Sequence, residues 1–223
     1  MRQLPPYLKE TDAWSTVIFA DPLGIPLARL LSYTPIHPNV VTVASLLPAL
    51  ACVYFFWRGD PLSLIWGALL FQFSWILDCT DGKLAKITGK QTKLGAKLDP
   101  VIDLIRKLLA LAALTWGAYR AFGLTWGLLT GAGVLFHYGI HFFAHHTPPR
   151  LSQSKIPQVL PERRIIRRVG QLYTAYDEQF LILFIAPLLA WLVEHLPTYM
   201  IWGASFLYGT NALAIKIKMR RSR

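Results

Sequence analysis

The chain has 223 residues, 54% of them hydrophobic and 16% charged, with a formal net charge of +11. Five or six apolar runs approach spanning length, which excludes an ordinary soluble domain and points to a polytopic α-helical membrane protein. The positive charge lies mostly beside those runs, where it meets anionic headgroups and substrate phosphates, and no nucleic-acid-binding motif accompanies it, so nucleic acid is not an expected partner.

The N-terminus, MRQLPPYLKETD, is polar and lacks the apolar core of a cleavable signal peptide, so insertion is expected through the first spanning helix. Residues 7–31 mix Trp14, Val17, Ile18 and Phe19 with Lys9, Glu10, Asp12 and Arg29, as an amphipathic segment in the membrane interface does. Pro22 and Pro26 are expected to break it. Six spans follow, over residues 38–57, 61–86, 97–119, 124–145, 179–196 and 198–216. The expected organisation is one membrane domain over 1–223: an interfacial segment 1–31, an all-α six-helix bundle 38–216 and a basic tail 217–223. No internal repeat is visible. Cys52 and Cys79 both fall in apolar segments, which argues against a disulfide framework or a cysteine zinc site.

Of the 23 lysines and arginines, only Arg58 and Arg120 fall in the short connectors 57–61, 120–123 and 195–198. The rest gather on the opposite side or at its boundary, so both termini are expected to be cytoplasmic.

A charge inside a span costs on the order of 3 kcal/mol and needs a reason. Span 2 ends with Asp78 and Asp81, and span 3 begins with Asp99 and Asp103. Residues three or four apart share a helix face, so each pair presents two carboxylates together. With the two helices as antiparallel neighbours joined by a turn around Gly89, all four are expected to converge. Such carboxylates repel unless a divalent cation, or a pair, lies between them, and hard oxygen ligands suit Mg²⁺ or Mn²⁺. Asp78 lies about 17 residues into its span, or about 25 Å along it at 1.5 Å per residue. That depth is just inside a hydrocarbon core of about 30 Å, within reach of a lipid-linked diphosphate and a water-soluble acceptor. Gly82 lets a substrate approach the backbone, Ala85 keeps the same face open, and Lys83 and Lys86 offer positive charge to phosphate.

The stretch DCTDGKLAKITGKQTKLGAKLDPVID resembles the signature of the CDP-alcohol phosphotransferases, D-x2-D-G-x2-A-R followed after seven or eight residues by G-x3-D-x3-D. Asp78, Asp81, Gly82, Ala85, Gly95, Asp99 and Asp103 match, and Lys86 stands where the family usually has Arg. Lysine keeps the charge but not the planar bidentate fork. The resemblance implies that Asp78, Asp81 and Asp99 bind metal, that Asp103 adds to a second metal, and that Asp103 takes the proton of the acceptor hydroxyl. It implies transfer of a substituted phosphate from a CDP-linked donor to a small alcohol, with release of CMP. A CDP-diacylglycerol donor and a phospholipid product are expected; a soluble CDP-alcohol with a lipid acceptor is the alternative. Asn39, Thr42 and Thr92 resemble nucleotide-contacting positions of the family, and Asn39 also suits a helix N-cap. The resemblance further implies a homodimer and a cytoplasmic active site.

A structural ion-pair network of Asp99 or Asp103 with Lys97, Arg106 or Lys107 is the competing reading of the aspartates. His137, His141 and His145, with His146 adjacent, form a stripe on span 4. Di-iron oxidases use similar histidine boxes, but they need about eight histidines and this chain has six; packing, or lining an acceptor cavity, is the expected role. Arg150, Lys155, Arg163, Arg164, Arg167 and Arg168 read as positive-inside charge or as an acceptor-phosphate site, and Lys216, Lys218, Arg220, Arg221 and Arg223 read in the same two ways. Glu178 receives no catalytic role. A transporter that uses the aspartates as an ion path is the rival class, though such proteins usually show inverted repeats.

Overall fold

Asp60, Pro61 and Gly89 bracket a helix of 28 residues in the computed structural model, which describes residues 12–145 and 173–221, with side chains as far as 143 and 213 in the two stretches. The helix, α4 (Pro61–Thr88), starts where the Asp60 carboxylate accepts hydrogen bonds from the Ser63 N–H at 3.0 Å and hydroxyl at 2.6 Å. It stops at Gly89, whose φ of 67° suits a residue without a Cβ. Before it come α1 (Asp21–Ser32), α2 (Pro38–Ala44) and α3 (Leu46–Arg58); after it come α5 (Lys93–Phe122), α6 (Leu124–His145), α7 (Ala175–Phe180), α8 (Ala186–Leu188) and α9 (Leu196–Arg221). No strand occurs among the described residues, so the all-α class holds.

Among the described residues, two helical stretches are long and apolar enough to cross a membrane, Pro38–Arg58 and Pro61–Thr88. The first is α2 and α3 in series, with a break at Ser45 three residues before Pro48, whose ring displaces the carbonyl of Ala44. Helix α5 has the length to span, but Asp99, Asp103, Arg106 and Lys107 occupy its first half. Leu62, Trp66, Leu69 and Phe73 form an exposed apolar face along α4, as contact with lipid requires.

The helices depart from the sequence reading, or from regular α geometry, in three places. Pro22 and Pro26 do not end the N-terminal helix: a π-helical turn at Thr16–Ala20 leads directly into α1, which contains both prolines. A second π turn, Leu181–Ile185, joins α7 to α8, with Pro187 two residues beyond it. In both places the wider turn re-registers the carbonyls that the proline nitrogen cannot serve. Third, the apolar run 179–196 is not one helix. It leaves helical geometry after Leu188, and residues 189–195 form turns that end at His195, with φ 64°. The calls on residues 1–11, on His146, on the basic stretch 150–168 and on the side chains of His145 and 216–223 lie outside the description.

Helices α4 and α5 are not each other's main neighbours. Both pack on α2 and α3. At Gly117 of α5 an added Cβ would stand 2.2 Å from the Phe56 carbonyl oxygen, so only glycine permits this approach of α3. The opening between α4 and α5 is crossed by side chains. The N-terminal segment closes one side: α1 lays Gly24 and Ala28 against α4, Lys83 reaches Asp21 at 2.9 Å, and the Ser15 hydroxyl donates to Asp177 at 2.6 Å.

Candidate active site

Asp78, Asp81 and Asp99 converge, each offering one carboxylate oxygen, with all three oxygens within 4.8 Å of one another. Helix α4 contributes two of them through its three-residue spacing, and the first turns of α5 contribute the third. Thr92 fixes the start of α5 by accepting a hydrogen bond from the Gly95 N–H at 2.9 Å. Asp81 is buried, Asp78 is half-buried and Asp99 is exposed, so the cluster grades from protein interior to surface.

The donor set fits a hard divalent cation. The Asp78 Oδ1 atom is buried and has no hydrogen-bond partner among the described residues. A buried carboxylate oxygen so placed needs a proton or a cation. Three carboxylate oxygens at this separation are ligands of the Mg²⁺ or Mn²⁺ type.

Asp103 does not join the three. Arg106 and Lys107, three and four residues further along α5, take its two oxygens at 2.6 Å each. Arg106 also reaches Asp78 at 3.2 Å, and its other terminal nitrogen meets the Ser74 carbonyl at 3.3 Å. The expected convergence is therefore three carboxylates, with the fourth held one guanidinium away. The ion pairs set against a metal site in the sequence reading exist beside the cluster and do not replace it.

Two of the three, Asp81 and Asp99, open the cluster onto a cavity of about 460 Å³. Asn39, Thr42, Asp81, Gly82, Lys86, Thr92 and Asp99 all line it. A Cβ added at Gly82 would meet nothing within 4 Å, so this glycine forms open wall. Gly95 differs: a Cβ there would lie 2.7 Å from the Asn39 side-chain oxygen. Lys90 and Lys93 join Lys86 along the rim. The assembly is an acidic corner with a basic rim, suited to a diphosphate that brings its own metal-binding charge.

Several residues do something other than the sequence suggested. Thr42 donates its hydroxyl hydrogen bond to Asp81 and so orients a carboxylate of the cluster. Asn39 is not the cap of α2: His37 is, its ring nitrogen accepting from the Asn39 N–H at 3.2 Å. The Asn39 amide instead sits 3.4 Å from the Thr92 hydroxyl, linking α2 to the start of α5. Lys83 is turned toward Asp21 and the Cys79 carbonyl, away from the cavity. His137 and His141 face Glu178. Arg106 was read as an ion-pair partner of Asp99 or Asp103; its second reach, across to Asp78 on α4, was not legible.

The family model for CDP-alcohol phosphatidyltransferase matches residues 35–208. The phosphatidylinositol phosphate synthase of Mycolicibacterium smegmatis is 34% identical over 103 residues, 46% of this chain and 44% of that protein. The CDP-diacylglycerol–glycerol-3-phosphate 3-phosphatidyltransferase of Rickettsia bellii is 35% identical over 66 residues, 30% of this chain and 36% of that one. The chain thus spans less than half the length of these curated relatives. A crystal structure of the Mycobacterium tuberculosis phosphatidylinositol phosphate synthase with CDP-DAG bound has a TM-score of 0.56 at 22% identity, covering 86% of this chain and 92% of that one, which shows a shared fold.

Proposed function

The chain belongs to the CDP-alcohol phosphatidyltransferase family, and from that premise we propose that it transfers a phosphatidyl group from CDP-diacylglycerol to a small alcohol, releasing CMP. The observation that carries this reading is the three-aspartate cluster opening on a cavity lined by seven of the residues expected to bind metal or the CDP moiety.

Asp78, Asp81 and Asp99 would hold the metal. The chemistry supplied by bound Mg²⁺ or Mn²⁺, two ions in this reading, is neutralisation of diphosphate charge. Lys86 faces a donor phosphate from the cavity rim. Asn39 and Thr92, tied to each other, form the wall for the cytidine end, and Thr42 acts there through Asp81. Asp103 accepts the proton of the alcohol, whose oxygen forms a bond to the phosphorus bearing the lipid. The bond from that phosphorus to the bridging oxygen breaks, and CMP leaves with the electron pair. Of the two partners of Asp103, Arg106 is buried and fixed, while Lys107 is partly exposed, so Lys107 is the one a hydroxyl displaces.

In this reading the domain is a single six-span bundle with an interfacial N-terminal helix, a cytoplasmic active site and both termini cytoplasmic. The asymmetry of Lys and Arg supports the orientation. The exposed Ile18, Leu23 and Leu30 support contact of the N-terminal segment with lipid. The family resemblance supports a homodimer.

The test uses the full chain in lipid micelles with CDP-diacylglycerol, candidate alcohols (inositol phosphate, glycerol phosphate and serine among them) and Mg²⁺ or Mn²⁺. The expected result is acceptor-dependent CMP release, lost on chelation and restored by either ion, with the product identified by mass spectrometry. Release only from a soluble CDP-alcohol with a lipid acceptor would reverse the donor assignment. Ion flux without CMP release from any pair would overturn the proposal.

A further inference from the structure

We propose that His137, His141 and Glu178 form a second metal site, for a transition ion of the Zn²⁺ class, chemically distinct from the aspartate cluster. His137 and His141 are four residues apart on α6, so their rings share a face, with centroids 4.5 Å apart. Glu178 of α7 meets both: one oxygen lies 3.0 Å from Nδ1 of His137 and the other 2.6 Å from Nε2 of His141. The three residues each offer one ligand atom, all within 4.8 Å of one another.

Charge gives the reason for an ion. The Glu178 side chain is wholly buried, and among the described residues its ion-pair partners are these two histidines and no Lys or Arg. Neutral imidazoles can donate hydrogen bonds to a carboxylate but cannot balance its charge. A buried carboxylate so placed is balanced either by an extra proton on a ring or by a cation. Two imidazole nitrogens and one carboxylate oxygen are a ligand set that Zn²⁺ accepts, whereas Mg²⁺ prefers oxygen alone.

The surroundings are built for ligation. Tyr208 stacks on the His141 ring at 4.4 Å and fixes its plane. The Ser205 hydroxyl, also buried, lies 3.1 Å from Nδ1 of His137. Ser205 thus shares with Glu178 the His137 nitrogen that would bind the ion, and the Tyr208 stack is the contact that orients a ring. Both histidines line an apolar cavity of about 940 Å³, which leaves room for water as a fourth ligand. Three protein ligands plus an open position is the arrangement of a reactive zinc site. Lys107, the ion-pair partner of Asp103, lines the same cavity.

The test uses the full chain in detergent, stripped with a chelator and titrated with Co²⁺, whose visible absorption reports nitrogen–oxygen coordination. The expected result is a visible band that saturates at one equivalent, is abolished by one equivalent of Zn²⁺ and is insensitive to excess Mg²⁺. His141→Gln and, separately, His137→Gln should weaken Co²⁺ binding by more than about a hundredfold, the upper end of what outer-shell changes alone cause. Asp81→Asn should keep the band, which separates this site from the aspartates whatever becomes of the catalytic proposal. No band in the wild-type chain, or a band that survives both histidine substitutions, would overturn the inference. The wild-type titration decides even where a variant fails to fold.

Discussion

Nη2 of Arg106 lies 3.2 Å from Oδ2 of Asp78, so one fully buried guanidinium crosses from α5 to α4 at the base of the aspartate cluster. The same nitrogen holds Asp103 at 2.6 Å. Arg106 thus ties a metal-ligand candidate to the base candidate and sets their spacing. A planar fork can serve both carboxylates and Ser74 together; a point charge cannot.

Arg106→Met should therefore be strongly destabilising, because it leaves two carboxylates without their shared cation. Breaking a buried pair from one side costs about 3–5 kcal/mol. The thermal midpoint in detergent should fall and CMP release should be lost, with Arg106→Lys recovering only part of each. Unchanged stability and turnover in Arg106→Met would show that the bridge is dispensable.

Gly82→Ala separates fold from function. The added methyl enters the open cavity and touches nothing in the protein. Its thermal midpoint should be no lower than that of the wild type, because alanine's better helix propensity is worth about 0.8–1 kcal/mol over glycine. Donor affinity should weaken, seen as a raised KM for CDP-diacylglycerol. A variant with an unaltered KM would mean the substrate does not pass close to this backbone.

Lys86→Arg should retain activity. The side chain projects from α4 into the cavity rim, exposed and unencumbered enough for the longer guanidinium. Arginine restores the planar fork that matches phosphate. Lys86→Met removes the charge, and its KM for the donor should rise. A dead Lys86→Arg enzyme would show that this position has a role different from the arginine usual in the family.

The fold was legible where punctuation was strong. Asp60-Pro61 and Gly89 mark α4 in sequence as they do in space, and residues 124–145 were read with the bounds that α6 has. Pro22 and Pro26 misled because no local pattern announces the wider turn at Thr16–Ala20 that precedes them. The aspartates were legible because charge in an apolar helix demands an explanation. Their partition into three plus one was not, since it depends on Arg106 reaching across a gap that no spacing along the chain encodes. The pairing of Glu178, which had been given no catalytic role, with His137 and His141 was hidden for the same reason: these partners are 41 and 37 residues away in the chain.

Asp103 offers the sharpest division of labour. Its carboxylate is held by Arg106 and Lys107 and stands apart from the three clustered aspartates. Asparagine at this position keeps an oxygen for the Arg106 fork but cannot take up a proton. Turnover by Asp103→Asn should fall by a factor of about 10²–10⁴, the usual contribution of a positioned base. Donor affinity, measured by isothermal titration with CDP-diacylglycerol in micelles, should change little. Asp78→Asn should instead lose donor affinity along with turnover, because it removes a ligand of the cluster itself. Equal loss of donor binding in the two variants would place Asp103 among the metal ligands and leave the proton without an acceptor.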